Sequence, residues 1–357
     1  MIFKYYAKCL VSLVNMYLEF SQKLKKILQD ATNCIIVTHK NPDADALGSS
    51  MALSRFLVKL GKKTKVILPN SPPDYLEWMI DKNNVISHEK SSEKTKTYLL
   101  KSDVIFALDF NSLKRIGNLN KEIENINVPI IMIDHHESPE SFSSLFLSRP
   151  NIGSTSEMVY SILKLINDRL IDKEIATYIY SGILTDTGSF RYPLTSSATH
   201  YITSELFKKN INHTDIHKKI YDNFSFERIH LLAVALKNFK MLQKFGVAYT
   251  ILSKENLEKY NFKKGDTEGF VNFGLQIKDV QVSVIFIEDV YEGIIKISFR
   301  SKERVDVNKF AKKYFNGGGH KNASGGFSND SIKKTEKKFI LSIEEFLRVW
   351  EKKNYFF

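Results

Sequence analysis

Three side chains that can bind a metal ion follow one short apolar run. The run Cys34–Val37 leads into His39, Asp43 and Asp45 within the stretch THKNPDADALGSS. A turn followed by a helix N-cap would account for one aspartate, because Asn-Pro-Asp favours turns and Asp favours helix starts. It accounts for neither the histidine nor the second carboxylate, and this raises the alternative of a ligand cluster for a divalent cation.

Three further segments carry residues of the same kinds. DVIFALDF contains Asp109, PIIMIDHH ends with Asp134, His135 and His136, and the helical segment YSGILTDTGSF contains Asp186. The near-continuous apolar runs before the first two, and CIIVTH, predict strands that are buried on both faces. Such strands run parallel, and their carboxyl ends share one edge of the sheet. A single aspartate there is usually a cap or turn former, but the joint pattern favours one site.

The ligand set indicates which ion and which chemistry to expect. Aspartates and histidines without a thiolate suit Mn²⁺ or Mg²⁺, and the imidazoles favour Mn²⁺. So many carboxylates would repel one another unless cations neutralised them. Two divalent ions that share a carboxylate could generate hydroxide from water near neutral pH for in-line attack on phosphorus. We therefore predict a two-metal hydrolase of phosphate esters.

The rest of the chain predicts two domains. Strand and helix patterns alternate from residue 34 to about 205, which favours a parallel doubly wound α/β sheet. After a helical stretch come the strands FGVAYTILS, VQVSVIFIED and EGIIKISFRS, the last two as a hairpin, then a helix, a glycine cluster and a terminal helix over 331–353. These form a smaller α+β domain. The predicted divisions are an N-terminal extension (1–30), a catalytic domain (31–205), a helical linker (206–240) and a second domain (241–357).

Composition favours a soluble cytoplasmic protein. Only Cys9 and Cys34 are present, so neither a disulfide framework nor a thiolate zinc site is expected. In residues 1–15 two lysines interrupt the apolar run and no cleavage site follows, so we expect neither a secretory signal nor a membrane span, and Met16 is a plausible start. The net charge of +12 suits an anionic partner, although lysines scattered over surface helices would produce the same value.

The motifs resemble those of a known superfamily. THKNPDADALGSS, ALDF, IDHH and GILTDTGSF, in this order and spacing, resemble the four motifs of the DHH phosphoesterases, and FNGGGHKNASGG resembles the glycine-rich motif of the DHHA1 domain. The resemblance covers nearly the whole chain from about residue 30. In length and plan the chain is most similar to the nanoRNase type, the bifunctional oligoribonucleases and pAp phosphatases. The resemblance implies a DHH catalytic domain, a smaller DHHA1 substrate-binding domain and an active-site cleft between them.

The resemblance also implies a ligand set for two Mn²⁺ ions per chain, with Mg²⁺ as the alternative ion. One ion would be held by His39, Asp43 and Asp109. The second would be held by Asp45, His135, Asp186 and again Asp109, which would bridge the two ions.

Catalytic and supporting roles are carried over in the same way. Besides Asp109, the catalytic residues would be His136, which would donate to the transition state or the leaving oxygen, and Asp134, which would orient His135 through its other ring nitrogen. The segment GSTSEMVY matches a helix start that backs the metal site in the family. A simple capping motif explains that segment equally well. The supporting residues there would be Ser154, Thr155 and Glu157.

The second domain offers candidate phosphate contacts. Gly317, Gly318 and Gly319, followed by His320 and the start of a small-residue helix, are what an anion cradle needs, although a flexible loop is the alternative. Arg300 at the end of IIKISFRS would supply a guanidinium for a second phosphate contact. Together these residues would hold the non-reacting phosphate or the terminal nucleotide of the substrate.

The expected substrate is therefore short: a dinucleotide, a short oligoribonucleotide (nanoRNA) or pAp. The sequence shows no obvious single-strand channel of alternating aromatic and basic residues. Three other functions stay open at this point. They are a cyclic-di-AMP or pApA phosphodiesterase, a RecJ-like single-strand exonuclease, and a nucleotide-binding regulator with a dead metal site, which would need a missing ligand. Homodimerisation is also left open.

Overall fold

The computed structural model describes the backbone of residues 2–354 except 264, 290–291 and 303–304, and side chains within residues 14–349. The chain divides into two compact units, Met1–Asn223 and Phe224–Phe357. In the described part of the chain, no helix is both long and apolar enough to cross a membrane.

Helices surround the sheets of both units. In chain order the α-helices are α1 (Ile2–Asp30), α2 (Ala44–Lys59), α3 (Ser92–Leu100), α4 (Asn120–Glu124), α5 (Thr155–Asn167), α6 (Lys173–Asp186), α7 (Ser197–Phe207), α8 (His213–Tyr221), α9 (Phe226–Lys237), α10 (Lys254–Lys259), α11 (Val307–Tyr314) and α12 (Ile332–Asn354). Short 3₁₀ helices lie at Asp74–Met79, Leu113–Leu119, Asp168–Leu170, Gln243–Phe245 and Phe270–Gln276.

Two six-stranded sheets form the centres of the units. The first contains β1 (Asn33–Val37), β2 (Lys63–Leu68), β3 (Val85–Ser87), β4 (Val104–Leu108), β5 (Ile130–Asp134) and β6 (Leu145–Ser148). The second contains β7 (Lys240–Leu242), β8 (Val247–Leu252), β9 (Val282–Glu288), β10 (Ile295–Ser301), β11 (Gly318–His320) and β12 (Ala323–Ser328).

The first sheet is parallel throughout, in the order β3-β2-β1-β4-β5-β6. Apolar side chains cover both of its faces, with Phe56 and Phe106 in one core and Leu99 and Phe110 in the other. This explains why its central strands are near-continuous apolar runs. From β1 the sheet continues through β2 to β3 at one edge, and from β4 it continues through β5 to β6 at the other edge. The boundary between β1 and β4 is therefore the topological switch point, where ligands bind in open α/β sheets.

Helices α2, α5 and α6 pack closely behind this switch point. A Cβ added to Gly182 of α6 would lie 2.0 Å from Ser156 Oγ and 2.6 Å from Asp45 Oδ1. One added to Gly48 of α2 would lie 2.5 Å from the carbonyl oxygen of Tyr178. The two glycines therefore allow an approach between helices that a side chain would prevent.

The second sheet is mixed, in the order β11-β12-β10-β9-β8-β7, and only β8 and β9 pair in parallel. One core on this sheet contains Phe299, Phe310 and Phe339, which come from β10, α11 and α12. A separate cluster contains Leu231 of α9 and Phe270. The unit is a small α+β domain.

The predicted fold class is confirmed: a parallel doubly wound α/β domain precedes a smaller α+β domain. The predicted strand pair around EDVYEG is also present, as the antiparallel pair β9 and β10. Strands β3, β6 and β7 were not predicted, because each has only three or four residues and lies at or next to a sheet edge without a long apolar run.

Two local predictions were wrong. The segment 206–240 is not continuously helical, because α7, α8 and α9 are separated by turns and β7 begins at Lys240. The glycine cluster does not lead into a helix; it forms the antiparallel pair β11 and β12, with Gly318 opposite Gly325. Small residues and glycines are compatible with both structures, and pairing of β12 with β10 decides between them.

Candidate metal centre

The predicted ligands of the first unit converge at the switch point. His39 and Asp43 follow β1, Asp109 follows β4, and His135 follows β5. Asp186 is the last residue of α6. Side chains separated by more than a hundred residues thus meet at the carboxyl ends of neighbouring strands, as the predicted parallel sheet requires.

Asp109 lies at the middle of this group, and its two carboxylate oxygens face different neighbours. Oδ2 lies 3.3 Å from His39 Nε2, and Oδ1 lies 3.5 Å from His135 Nε2. His39 Nε2 is also 3.8 Å from Asp43 Oδ2, while His135 Nε2 is 3.1 Å from Asp186 Oδ2. A single buried carboxylate therefore joins two sets of potential ligands.

Two of these sets have the spacing that a metal ion needs. One ligand atom from each of His39, Asp43 and Asp109 lies within 4.8 Å of the others, and the same holds for Asp45, Asp109 and His135. Asp109 belongs to both sets. Asp186 reaches the second set through its contact with His135.

The backbone of Asp109 adopts an unusual conformation, with a φ of 63°. Left-handed backbone is uncommon outside glycine, although Asp and Asn adopt it more readily than other residues. The residue is held there by its N–H, which donates to the carbonyl oxygen of Ile133 at 3.1 Å. Strain of this kind is concentrated at functional sites.

Asp45 is fully buried and caps a neighbouring helix. Its Oδ2 accepts the N–H of Thr155 at 2.7 Å, and its Oδ1 accepts the N–H of Ser156 at 2.9 Å. These are amides of the first turn of α5, where the helix dipole favours a negative charge. The N-terminus of α5 thus fixes the orientation of a predicted ligand.

Backbone carbonyls orient His39 and His135, the two predicted histidine ligands. His39 Nδ1 lies 2.9 Å from the carbonyl oxygen of Lys40, and His135 Nδ1 lies 3.1 Å from that of Ile152. A proton on Nδ1 of each ring would donate to these oxygens, which directs Nε2 toward the carboxylates. This is the usual arrangement around histidine ligands of metals.

The predicted partner of Asp134 was wrong. The second ring nitrogen of His135, Nδ1, faces the carbonyl oxygen of Ile152 at 3.1 Å. Asp134 Oδ2 accepts the backbone N–H of His136 at 2.8 Å, and Asp134 Oδ1 lies 2.7 Å from His136 Nδ1. Side chains two positions apart in extended backbone lie on the same side of the chain, which brings Asp134 to His136. The ring of His135 packs edge-on against that of His136, with ring centroids 4.9 Å apart. Asp134 therefore orients His136.

The three predicted supporting residues have different contacts. Thr155 Oγ1 donates to Asp109 Oδ1 at 2.8 Å, so it touches the central carboxylate directly. Ser154 is the N-cap of α5 and accepts the N–H of Glu157 at 3.1 Å. Glu157 accepts the hydroxyl of Thr199 at 2.9 Å. Ser154 thus follows the capping alternative, and Thr155 contacts the site.

Burial and mutual repulsion perturb the carboxylates. Burial, and then the charges of Asp109 and Asp186, raise the pKa of Asp45 well above its usual value. Burial raises the pKa of Asp186 to about 6. Burial, and then the charge of Asp109, raise the pKa of Asp134 to about 6.

Histidine charges have the opposite effect on the central carboxylate. Burial alone would raise the pKa of Asp109, but the hydrogen bond from His39 and the nearby histidines hold it far below its usual value. Burial alone would lower the pKa of His135, but the hydrogen bond with Asp186 raises it well above normal. Protons on these side chains therefore offset the clustered negative charge. Divalent cations could replace them, and the oxygen and imidazole donors fit such ions.

Arg115 is a charged residue near His136 that was not predicted from the sequence. It lies in the 3₁₀ helix after β4, and its carbonyl oxygen accepts the N–H of Lys40 at 2.7 Å. Burial, and then the charge of Arg115, lower the pKa of His136 well below its usual value. Its position five residues beyond ALDF, at the carboxyl end of a strand, was the signal that could have identified it.

In the second unit the structure aligns two predicted phosphate contacts. Arg300 of β10 and His320 of β11 are both paired in register with Ala323 of β12. Directly opposed residues in a sheet have side chains on the same face, so Arg300 and His320 share one face of this sheet. Both side chains are half-buried.

Two of the predicted cradle glycines have a packing role. A Cβ added to Gly317 would lie 2.0 Å from the carbonyl oxygen of Gly325, and one added to Gly319 would lie 2.6 Å from that of Ala323. Gly319 also has a φ of 139°. Gly318 has space for a side chain, with its nearest neighbour at 3.9 Å. The β11 and β12 pair therefore requires glycine at 317 and 319 for close backbone packing.

Comparison with known proteins yields two family matches. The DHH family, N-terminal domain, matches residues 33–183, and the DHHA1 domain matches residues 243–349. A protein of Streptococcus mutans named "Probable bifunctional oligoribonuclease and PAP phosphatase NrnA" is 31% identical over 292 residues, covering 82% of this chain and 88% of that protein. The Bacillus subtilis protein "Bifunctional oligoribonuclease and PAP phosphatase NrnA" is 25% identical, with the same coverage of 82% and 88%.

A solved structure agrees with these matches. The crystal structure of an exopolyphosphatase-related protein from Bacteroides fragilis is 38% identical, has a TM-score of 0.88, and covers 93% of this chain and 97% of that one. Taken with the clustered ligands, the comparisons show that the chain is a hydrolase of phosphate esters that belongs to the DHH–DHHA1 phosphoesterase superfamily, in the type that contains the bifunctional oligoribonucleases and PAP phosphatases.

Proposed function

We propose that the protein is a Mn²⁺-dependent phosphoesterase that hydrolyses short oligoribonucleotides to mononucleotides and removes the 3′-phosphate of pAp. The observation that carries this proposal is the placement of Asp109, whose two oxygens face His39 and His135 in separate ligand sets. The names of the Streptococcus and Bacillus relatives support the choice of substrates.

Each proposed ion has its own set of ligands. His39, Asp43 and Asp109 would hold one, and Asp45, Asp109, His135 and Asp186 the other. When bound, two such ions supply Lewis-acid neutralisation of phosphate charge and a hydroxide nucleophile near neutral pH. The presence of imidazole donors on both sides supports Mn²⁺ over Mg²⁺.

The protein's own residues would orient the substrate and exchange protons with it. His136 is held at Nδ1 by Asp134, so its Nε2 would be the atom that exchanges a proton with the reacting phosphate ester. Arg115 would add positive charge beside the same ring, which supports binding of phosphate oxygens. Thr155 keeps Asp109 in place through its hydroxyl.

The second unit would bind the part of the substrate that does not react. Arg300 and His320 lie on one face of its sheet, where a guanidinium and an imidazole could contact one phosphate. This supports a substrate that carries a second phosphate, as in a dinucleotide or pAp. Such substrates arise in the cytoplasm, which we propose as the location of the protein.

The test is a substrate panel with purified protein and Mn²⁺. It contains pAp, di- to pentaribonucleotides, a long single strand, pApA and cyclic-di-AMP. We expect the fastest turnover of pAp and the shortest oligomers. A preference for cyclic-di-AMP or pApA alone would replace the proposal with second-messenger turnover, and a preference for the long strand would favour an exonuclease.

Metal content provides an independent test. We expect two Mn²⁺ per chain after dialysis against the ion. One ion or none, with full activity, would contradict the two-ion assignment. Asp109→Asn serves as the inactive control for every substrate in the panel, so that contaminating nucleases can be excluded.

A further inference from the structure

A cluster of lysines in the first unit lies outside the metal centre. The lysines line an open depression of about 600 Å³ along β3 and α3, and the ring of Tyr98 forms part of its wall. We call this the lysine pocket and define it by Lys65, Lys82, Lys90, Lys94, Lys101 and Tyr98. Lys65 comes from β2, and the other residues come from α3 and from the turns that flank β3 and α3.

The positive charge of the lysine pocket is not neutralised by the protein. Among the described residues, no carboxylate lies within 4.0 Å of any of its five ammonium groups. Two carboxylates close in sequence are engaged elsewhere: Glu93 pairs with Lys96 at 3.0 Å, and Asp81 lies 3.9 Å from Arg55. Five lysines concentrated in this way attract a polyanion rather than a single small anion.

The face of α3 that lines the pocket alternates charge with an aromatic ring. Lys94, Thr97, Tyr98 and Lys101 all line it, and their spacing of three and four residues places them on one side of the helix. Tyr98 is 36% exposed, and Lys65 Nζ lies 5.4 Å from its ring centre. An accessible aromatic ring among lysines is the combination that binds single-stranded nucleic acid, with bases stacking and phosphates paired.

Polar groups in the pocket wall lack protein partners. The buried Oγ of Ser87 has no hydrogen-bond partner among the described residues. Ser91 is the N-cap of α3, and its side chain makes no hydrogen bond to the first turn. Both serines line the depression. A phosphate oxygen could accept from amides at the start of α3.

The lysine pocket and the metal centre lie on the same sheet, and only one end of the pocket is at the edge that carries the metal ligands. β3 is the edge strand, and only β2 separates it from β1. With strands about 4.8 Å apart, β3 and β1 are roughly 10 Å apart. Because all strands are parallel, Ser87 at the end of β3 lies at the same sheet edge as the metal ligands. An oligonucleotide that follows the pocket from Lys82 toward Ser87 would therefore run toward the metal centre.

We propose that the lysine pocket binds the phosphate backbone of single-stranded RNA, and so holds the distal part of an oligonucleotide whose end reaches the metal centre. The choice of RNA rests on the proposed function, but binding can be measured without catalysis. An acidic protein segment is the competing ligand, and the exposed ring of Tyr98 favours nucleic acid over it. No channel of this kind was expected from the sequence, although the segment that follows KTKVILP is rich in lysine; the fold adds Lys65 of β2 to it.

The test measures binding of a fluorescent twelve-nucleotide RNA and of a dinucleotide, in EDTA so that no hydrolysis occurs. The pocket variant is Lys82→Gln/Lys90→Gln/Lys94→Gln. The control variant, Lys333→Gln/Lys334→Gln/Lys337→Gln, removes the same charge from exposed positions on α12. We expect the pocket variant alone to bind the longer RNA at least tenfold more weakly. The slope of log K against log salt concentration should become less steep by about 2, because each of the three lost phosphate contacts accounts for about 0.7.

Four outcomes separate the alternatives. Equal weakening in both triple variants, or none in either, would overturn the proposal. The proposal would also be overturned, in favour of an acidic protein partner, if polyglutamate competed as well as RNA and its binding were unaffected by Tyr98→Ala. Loss of RNA binding in Tyr98→Ala that Tyr98→Phe restores would support stacking. If the pocket variant loses RNA binding while the wild type fails to hydrolyse any RNA, this inference stands and the proposed function fails.

Discussion

Asp134 contacts His136 at two points, accepting its backbone N–H at 2.8 Å through Oδ2 and lying 2.7 Å from its ring Nδ1 through Oδ1. His135, the residue between them, is oriented instead by the carbonyl oxygen of Ile152. Adjacent histidines in the IDHH motif thus have separate supports. His135 is a potential metal ligand, and we propose that His136, which Asp134 holds in place, acts on the substrate.

Asp134→Asn tests this division of roles. In this variant the nitrogen that replaces one carboxylate oxygen cannot accept the ring proton of His136. His136 therefore loses its orientation, while His135 keeps its own. We expect kcat to fall about 10- to 100-fold, the usual effect of losing such a supporting contact. The Mn²⁺ content, measured by elemental analysis, should remain that of the wild type.

Asp103→Asn is the matched control. Asp103 also accepts two backbone N–H groups, from Thr32 and Asn33, but at the opposite end of the sheet from the metal centre. The kcat of the Asp103→Asn protein should equal that of the wild type. Loss of one Mn²⁺ in Asp134→Asn, with little change in kcat of the metal-loaded protein, would show that Asp134 supports His135 after all.

Asp109→Asn should weaken both metal sites, since one oxygen of Asp109 faces each ligand set. Asp45→Asn should weaken only one, because Asp45 belongs to a single set. Mn²⁺ titration followed by electron paramagnetic resonance distinguishes two weakened sites from one. Hydrolysis by Asp109→Asn should fall to background. A variant at this position that binds two ions with wild-type affinity would refute the bridging role.

Gly182→Ala should displace a predicted metal ligand, Asp45, from its position. The new Cβ would lie 2.6 Å from Asp45 Oδ1 and even closer to Ser156 Oγ, so the ligand or the helix must move. Overpacking of this kind costs about 1–3 kcal/mol of unfolding free energy. We expect a lower urea midpoint and loss of Mn²⁺ from one site.

Gly325→Ala is the corresponding control, because the nearest atom to its new Cβ is 3.8 Å away. It should retain the wild-type metal content and nearly the wild-type urea midpoint. Equal metal loss in both glycine variants would argue against a specific effect on Asp45.

Arg300→Ala and His320→Ala should change substrate binding and leave metal binding intact. A hydrogen bond to a charged group is worth about 1.5–3 kcal/mol, so kcat/KM should fall roughly 10- to 150-fold. The loss should appear mainly in KM, measured with pAp. Lys333→Ala, which removes an exposed charge from α12, should leave KM unchanged. Wild-type KM in both site variants would exclude this sheet face as the phosphate contact.

Stability should fall at alkaline pH because of three buried tyrosines. Burial, the first cause in each case, raises the pKa of Tyr178, Tyr180 and Tyr249 to about 12. In the unfolded chain their pKa is about 10. The contribution of these tyrosines to the free energy of unfolding is therefore fully present below pH 10 and is lost as pH rises from 10 to 12.

Urea unfolding at pH 8 and pH 11 measures this loss, and absorbance at 295 nm reports tyrosinate. We expect a lower midpoint at pH 11. The double variant Tyr178→Phe/Tyr180→Phe should show a smaller drop between the two values, since phenylalanine has no proton to lose. An identical drop in wild type and variant would assign the alkaline loss to other groups.

Local sequence was sufficient to predict the main strands and the edge of the sheet where ligands collect. Apolar runs such as Val104–Leu108 are buried on both faces and can only be inner strands of a covered sheet. Once those strands are parallel, His39, Asp109 and His135 must meet at their carboxyl ends. The positions of the strands and of their carboxyl ends follow from the pattern of apolar residues, which is a local property of the chain.

Individual contacts depended on the tertiary structure. Asp134 reaches His136 rather than His135 because of the side-chain directions beyond the end of β5. The FNGGGHKNASGG segment forms a strand pair because β10 offers an edge to β12. Lysines that looked scattered, such as Lys65 and Lys94, line one pocket because β2 and α3 lie together. Such contacts join residues distant in the chain, and only the packing of whole elements decides which of them form.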